Sequence, residues 1–270
     1  MPPLQRVALP ALNAAEAGHY PFSVPALAAL AGGGLELDAP VTFFIGENGS
    51  GKSTLLEGIA AAARAIAVGS ADTDADPSLA PARRLGARLR LAWARRTHRG
   101  FFLRAEDFFG YARRMQAMRE EYAAELRAID ADPELSDLAR AQKRLPYARS
   151  LAEIVARYGD GLDSLSHGES FFALFRSRLV PDGLYLLDEP EAPLSPMRQI
   201  GLLALIKELV ETRGAQFIVA THAPILMAYP GARILSFDGG AIRPVPYEQV
   251  EHVTLTRDFL SNPSRFLRHL

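Results

Sequence analysis

The octapeptide Gly46-Glu47-Asn48-Gly49-Ser50-Gly51-Lys52-Ser53 restricts this chain more than any other stretch. It fits the spacing G-x-x-x-x-G-K-[ST] of a phosphate-binding loop. Its flanks match as well. Val41 to Ile45 is a short apolar run rich in β-formers, and it ends at Gly46. Ser53 to about Val68 is rich in Ala and Leu and has no Pro, so it reads as a helix. Strand, loop and helix in that order are the context the motif needs.

The chemistry is a consequence of geometry. Glycines at 46, 49 and 51 let backbone N–H groups turn inward around a phosphate. The helix behind presents its positive N-terminus to the anion. Lys52 supplies a point charge for the β- and γ-phosphates, and Ser53 a hydroxyl ligand for Mg²⁺. The expected nucleotide-binding set is therefore Gly46, Glu47, Asn48, Gly49, Ser50, Gly51, Lys52, Ser53 and Thr54.

Three further segments add reactive groups. Leu184 to Leu187 is a strand too apolar to have a wet face, and Asp188-Glu189-Pro190 comes directly after it. Carboxylates at that sheet edge suit Mg²⁺ through Asp188 and a water-activating base at Glu189. Gln216 to Ala220 is the next strand, and Thr221-His222 comes next. An imidazole there can bond a γ-phosphate and the attacking water. A histidine that merely satisfies a turn is the plain alternative. Leu165-Ser166-His167-Gly168-Glu169 precedes a predicted helix over Gly168 to Leu179. Ser166 would cap it, and Gly168 would let backbone approach a phosphate.

With Ala192-Pro193-Leu194-Ser195, these segments occur in the order of an ABC-type ATPase: phosphate loop, signature, magnesium/base, D-loop and switch histidine. The whole chain resembles the standalone bacterial AAA-family predicted ATPases of that superfamily, soluble relatives of the SMC and RecF ATPases. The resemblance implies a single ABC-type ATPase domain over 1–270, with ATP and Mg²⁺ as cofactors and Glu189, His222 and Lys52 as catalytic residues. It also implies a homodimer that sandwiches two ATP molecules, with Ser166 and Gly168 of one subunit on the γ-phosphate held by Lys52 of the other. Two departures stand out. His167 and Glu169 occupy places where the signature usually has Gly and often Gln. No clear Q-loop glutamine comes after the strand Gly100 to Arg104, where Glu106 is a weak substitute. Tyr20 is placed to stack on adenine, with core packing of Tyr20 and Phe22 as the alternative.

The rest of the chain reads as an α/β core with a helical insertion. Residues 107–158 are rich in Arg, Glu and Ala, with helical spacing at Tyr111, Met115, Met118, Tyr122 and Leu126. A second helix is expected to start at Asp132-Pro133 and a third over Ser150 to Tyr158, stopped by Gly159. Residues 69–82 read as a loop. Leu35 to Asp38, Ala87 to Trp93 and Gly100 to Arg104 read as strands, with Thr97 to Gly100 as the turn between the last two. Ser195-Pro196 caps a helix to about Thr212, which Gly214 ends. Ile234 to Phe237 and Ala241 to Val245 flank the hairpin signal Gly239-Gly240. Tyr247 to Leu270 looks mostly helical.

Net charge of −1 argues against a chain-wide nucleic-acid footprint. A local one stays open over 83–104, where Arg83, Arg84, Arg88, Arg90, Arg95, Arg96, Arg99 and Arg104 occur without an acid. The plainer reading has these arginines on an exposed sheet face, pairing acids of the inserted helices. The absence of cysteine excludes disulfides and thiol chemistry and suits a cytoplasmic protein. No apolar run approaches the roughly 20 residues that span a bilayer, and the start shows no signal-peptide pattern. Three uses of an ATP cycle stay open: action on nucleic acid or a protein partner, service as the ATPase subunit of a transporter, and a non-catalytic interaction module.

Overall fold

Val41–Ile45 (β3) is buried along its whole length, because its β-branched and aromatic side chains face packed layers on both sides. It sits inside a seven-stranded sheet of otherwise parallel strands. In sheet order these are Arg243–Pro244 (β10), Arg233–Ser236 (β9), β3, Gln216–Ala220 (β8), Leu184–Asp188 (β7), Gly100–Arg104 (β6) and Ala67–Val68 (β4), and only β10 runs antiparallel. A second, antiparallel sheet joins Gly33–Glu36 (β2), Leu4–Leu9 (β1) and Arg90–Trp93 (β5). The computed structural model describes residues 1–68, 79–158 and 178–268, together with Phe172 and Phe175.

The two sheets are tied by Gln216, which is 0% exposed. Its Oε1 accepts from Leu4 N–H (2.8 Å), and its Nε2 donates to the carbonyls of Leu4 (2.9 Å) and Leu37 (2.7 Å). One side chain thus satisfies backbone groups that the N-terminal segment would otherwise bury unpaired. Across the large sheet, Phe101, Tyr185 and Phe217 lie in register on neighbouring strands. Their rings pack at centroid separations of 5.1 and 4.9 Å.

The chain divides into two compact units, Met1–Ala105 with Val180–Leu270, and Glu106–Leu179. Among the described residues, the second unit is built from two long helices, Ala105–Ala131 (α5), whose first residue belongs to the first unit, and Asp137–Tyr158 (α6). Arg144 pairs with Asp130, and Tyr122 packs on Tyr147. Here the expected helix starts fail. Asp132 does not cap a helix; its carboxylate accepts from Glu134 N–H and shapes a turn. Ser136 caps instead, its Oγ accepting from Ala139 N–H. The segment expected to begin a third helix at Ser150 is the continuation of α6, which runs through Pro146.

Other expectations shift in the first unit. Residues 80–82, expected in a loop, open the helix Ala80–Arg88 (α4), and residues 69–78 of that loop lie outside the described residues. Ala87 and Arg88 end α4 rather than starting a strand. Strands β5 and β6 do not form a hairpin, since β5 joins the small sheet and β6 the large one. Local alternation identified both strands, but partner choice is set by where each apolar face can be buried. Three arginines of 83–104 pair with acids of this unit: Arg88 with Glu16 (3.2 Å), Arg95 with Asp182 (2.6 Å) and Arg104 with Glu57 (3.4 Å). Ser195 is the N-cap residue of Pro196–Arg213 (α7), which ends at left-handed Gly214. The C-terminal segment forms Glu251–Ser261 (α9) and Pro263–Leu267 (α10), after the short helix Pro224–Met227 (α8).

Candidate active site

Parallel pairing brings four strand ends to one edge of the large sheet. Phe44 is level with Ala220, Asp188 with Ala220, and Ile45 with Ser236. The residues just past each strand therefore meet those of its neighbours: Gly46 after β3, Glu189 after β7, Thr221-His222 after β8 and Asp238 after β9. β8 lies between β3 and β7, which places His222 between the phosphate loop and the acidic pair.

The loop has the backbone its glycines permit. Gly46, Gly49 and Gly51 take φ values of 134°, 80° and 105°. Two of them also face close neighbours. A Cβ on Gly46 would fall 2.7 Å from Asp238 Oδ1, and one on Gly51 2.6 Å from Val24 Cγ1. No other residue fits there without displacing its surroundings. Lys52 and Ser53 open Lys52–Ala63 (α3), whose N-terminus therefore faces the loop. Lys52 is 5% exposed. Its Nζ donates to the carbonyls of Gly46 (2.7 Å) and Glu47 (2.9 Å), so the ammonium is held inside the loop. Burial pulls its pKa below the usual lysine value, opposed by the charges of Glu189, Asp188, Asp238 and Glu47.

Ser53 Oγ donates to Asp188 Oδ1 at 3.0 Å. The two groups expected to share Mg²⁺ are thus in contact, although they are far apart in the sequence. Burial pushes the Asp188 carboxyl up to about 7, against the Ser53 hydrogen bond, while Glu57 and Glu189 push the same way as burial. A carboxyl whose pKa rises on folding stabilises the fold at low pH and loses that contribution as pH climbs through the folded value. The metal-free protein is therefore expected to lose melting temperature from about pH 4 to pH 7 through this group. Asp188→Asn should flatten that part of the profile, as thermal melts in chelator from acid to neutral pH would show; an unchanged slope would refute the assignment.

Glu189 adopts φ 50°, a left-handed conformation uncommon for a residue with a side chain. Its N–H donates to Ala220 O at 2.9 Å. The turn leaves the carboxylate half exposed, with Oε1 4.0 Å from His222 Nε2. That nitrogen and Ser50 Oγ are buried and have no hydrogen-bond partner among the described residues. Burial, then Lys52 and His252, lower the His222 pKa, while Glu189 and Glu47 oppose them.

Sequence reasoning assigned no role to three residues that build this site. Glu191 Oε1 accepts from both Thr221 Oγ1 (2.7 Å) and His222 N–H (2.8 Å), so it fixes the end of β8 to the acidic loop. Burial raises its pKa. The signal was present in Leu-Leu-Asp-Glu-Pro-Glu-Ala, where the second Glu comes after the proline. Asp238 Oδ1 accepts from Glu47 N–H at 2.8 Å and so braces the phosphate loop. It hides in the Gly239-Gly240 hairpin signal. His252 Nε2 lies 3.2 Å from His222 Nδ1. No local motif marks it.

Among the remaining expected residues, Tyr20 is 51% exposed, while Phe22 is in the core. Tyr20 OH is 3.3 Å from Thr54 Oγ1, which puts the ring beside the loop instead of inside the protein. Asn48 is exposed. Ser166, Gly168 and the rest of the signature segment lie outside the described residues, as does the side chain of Glu106. Among the described residues no cluster of three or more His, Asp or Glu could hold a metal by itself. A Mg²⁺ bound by Ser53 and Asp188 would take its other ligands from phosphate and water, which is how Mg²⁺ is usually held. The cradle of positive-φ glycines and the unpartnered Ser50 hydroxyl fit a phosphate group.

Residues 93–228, just over half of the chain, match the family model described as "AAA domain, putative AbiEii toxin, Type IV TA system". Residues 31–67 match a second model described as "AAA domain". No curated protein matches the sequence. Solved structures similar to the chain include CbiO1 of Clostridium perfringens, part of an ABC transporter complex, at 17% identity and TM-score 0.48 over 100% of both chains. The Smc head domain of Pyrococcus furiosus, bound to the C-terminal domain of ScpA, is similar at 12% identity and TM-score 0.47, over 96% of this chain and 100% of that one. A dimeric bacterial ABC transporter cassette is similar at 18% identity and TM-score 0.41, over 79% and 88%. By the family match over half its length, the chain belongs to the AAA-domain family and is a P-loop ATPase domain.

Proposed function

We propose that the chain hydrolyses ATP with Glu189 as the base, in a cycle that joins two copies of the chain when ATP is bound. One observation supports this above the others: His222 Nε2 and Glu189 Oε1 stand 4.0 Å apart on neighbouring strand ends, beside a loop that holds Lys52. The loop amides and Lys52 bind the phosphates. Ser53 and Asp188 would hold Mg²⁺, which would neutralise phosphate charge. Glu189 orients water and takes its proton. His222 donates a hydrogen bond at the phosphate being cleaved. Ser166 and Gly168 complete the site from a second copy.

The sandwich has a direct test. Sedimentation velocity of the Glu189→Gln protein with ATP and Mg²⁺ should show a dimer, and with ADP a smaller species. The same sedimentation coefficient in both would refute the ATP-driven dimer.

The process the cycle drives is a separate matter. Two of the three similar structures named belong to ABC transporters, so service to a transporter stands beside action on nucleic acid or a protein partner. No helix among the described residues is long and apolar enough to cross a membrane, so a transporter role would require membrane helices from elsewhere. The basic stretch lends nucleic acid less support than its sequence promised. Arg84, Arg88, Arg95, Arg99 and Arg104 all bond to acids or carbonyls of the core.

A further inference from the structure

His252 lies on α9, far along the chain from every motif that carries the chemistry, yet it touches one of them. Its Nε2 is 3.2 Å from His222 Nδ1, and the two rings meet edge to face with centroids 5.1 Å apart. A neutral imidazole has one N–H and one bare nitrogen, and the partner of one nitrogen decides which form is present. His222 has its Nδ1 occupied by His252, while its Nε2 is buried without a partner among the described residues and faces Glu189. That free nitrogen is the one available to a phosphate oxygen, which only accepts hydrogen bonds. A His222 that served the phosphate with a bare Nε2 would meet it lone pair to lone pair.

We infer that His252 is a positioning residue: it donates from Nε2–H to His222 Nδ1, and so keeps the proton of neutral His222 on Nε2, where it can be given to the phosphate. This rests on the reading that His222 serves the phosphate. Several neighbours hold the pair in this state. Burial and Lys52 favour the neutral form of His222. Glu191 accepts from its backbone N–H and so fixes the stretch of main chain from which the ring projects. Glu189 and Glu47 act in the other direction through their charge, and a protonated His222 would lose the distinction between its two nitrogens. α9 is anchored beside this contact by Val253, which is 4% exposed. α9 therefore sets the state of His222, and any displacement of this helix would be felt at the site.

The test compares His252→Ala and His252→Gln with the unaltered protein in the full chain. Glutamine places a donor nitrogen at nearly the reach of imidazole Nε2, whereas alanine places none. His252→Ala should lower kcat about tenfold, the worth of one hydrogen bond, with KM for ATP changed less than about twofold. His252→Gln should restore most of the rate. Long-range ¹H–¹⁵N spectra should show His222 protonated on Nε2 in the unaltered protein and in His252→Gln, and a mixture of tautomers in His252→Ala. Equal loss in both variants, or a His222 tautomer indifferent to position 252, would overturn the inference. His222→Ala separates it from the reading it rests on. If that variant keeps full activity, the role of His222 fails; if it is inactive while His252→Ala is normal, only the role of His252 fails.

Discussion

Glu189→Gln is expected to cut ATP turnover by on the order of 10²–10⁴-fold, the usual share of a positioned general base. ATP affinity should change little, because in the proposed site the loop, Lys52 and Ser53 bind the phosphates. The substitution keeps the size of the side chain and removes its charge and its ability to accept a proton. It also leaves the left-handed turn at φ 50° and the bond from the residue-189 N–H to Ala220 O in place, so the fold should not respond. The half-exposed position of the carboxylate matters here, since a group so placed can exchange its proton with water between cycles. Single-turnover hydrolysis and a nucleotide-binding titration on the same preparation would separate the two effects. A variant that hydrolyses at the unaltered rate would remove Glu189 from the chemistry.

Gln216→Ala should be the most costly single change to the fold outside the hydrophobic core. It strips partners from Leu4 N–H, Leu4 O and Leu37 O in a place closed to water. Each unpaired buried group costs about 1–3 kcal/mol, and partial relaxation brings the expected total to roughly 3 kcal/mol. For a chain of this size that amounts to a loss of roughly 5–10 °C in melting temperature. The lone tryptophan, Trp93, lies on β5 of the small sheet that Gln216 secures, so its fluorescence should report the loss. A melting temperature within about 1 °C of the unaltered protein would mean that Gln216 does not join the sheets energetically.

Gln216 also shows where sequence reading stops. Its strand was plain from Phe217, Ile218, Val219 and Ala220, because buried parallel strands are apolar on both faces. That a polar residue heads this strand inside the core, bonded to residues more than 170 positions away, has no local trace. The same division runs through the site. The placing of the loop, Asp188, Glu189 and His222 at one sheet edge was legible because each sits at or just past the end of an apolar strand, and parallel pairing gathers those ends. Glu191, Asp238 and His252 were not assigned, because their roles depend on which strand neighbours which and where α9 packs. Residues 107–158 were legible as mostly helical. Their internal boundary was misplaced because Asp132-Pro133 imitates a helix start while forming a turn, and Ser136 supplies the actual cap.

The central claim is that this chain turns over ATP with Glu189 in a site completed by a second copy. The most direct test is the rate of ATP hydrolysis against protein concentration, in Mg²⁺, with Glu189→Gln as the blank. The account predicts a rate that rises faster than linearly with protein at low concentration and a silent blank. A rate strictly proportional to protein down to nanomolar concentration would contradict the shared site, and hydrolysis no greater than the blank would contradict the catalytic assignment itself.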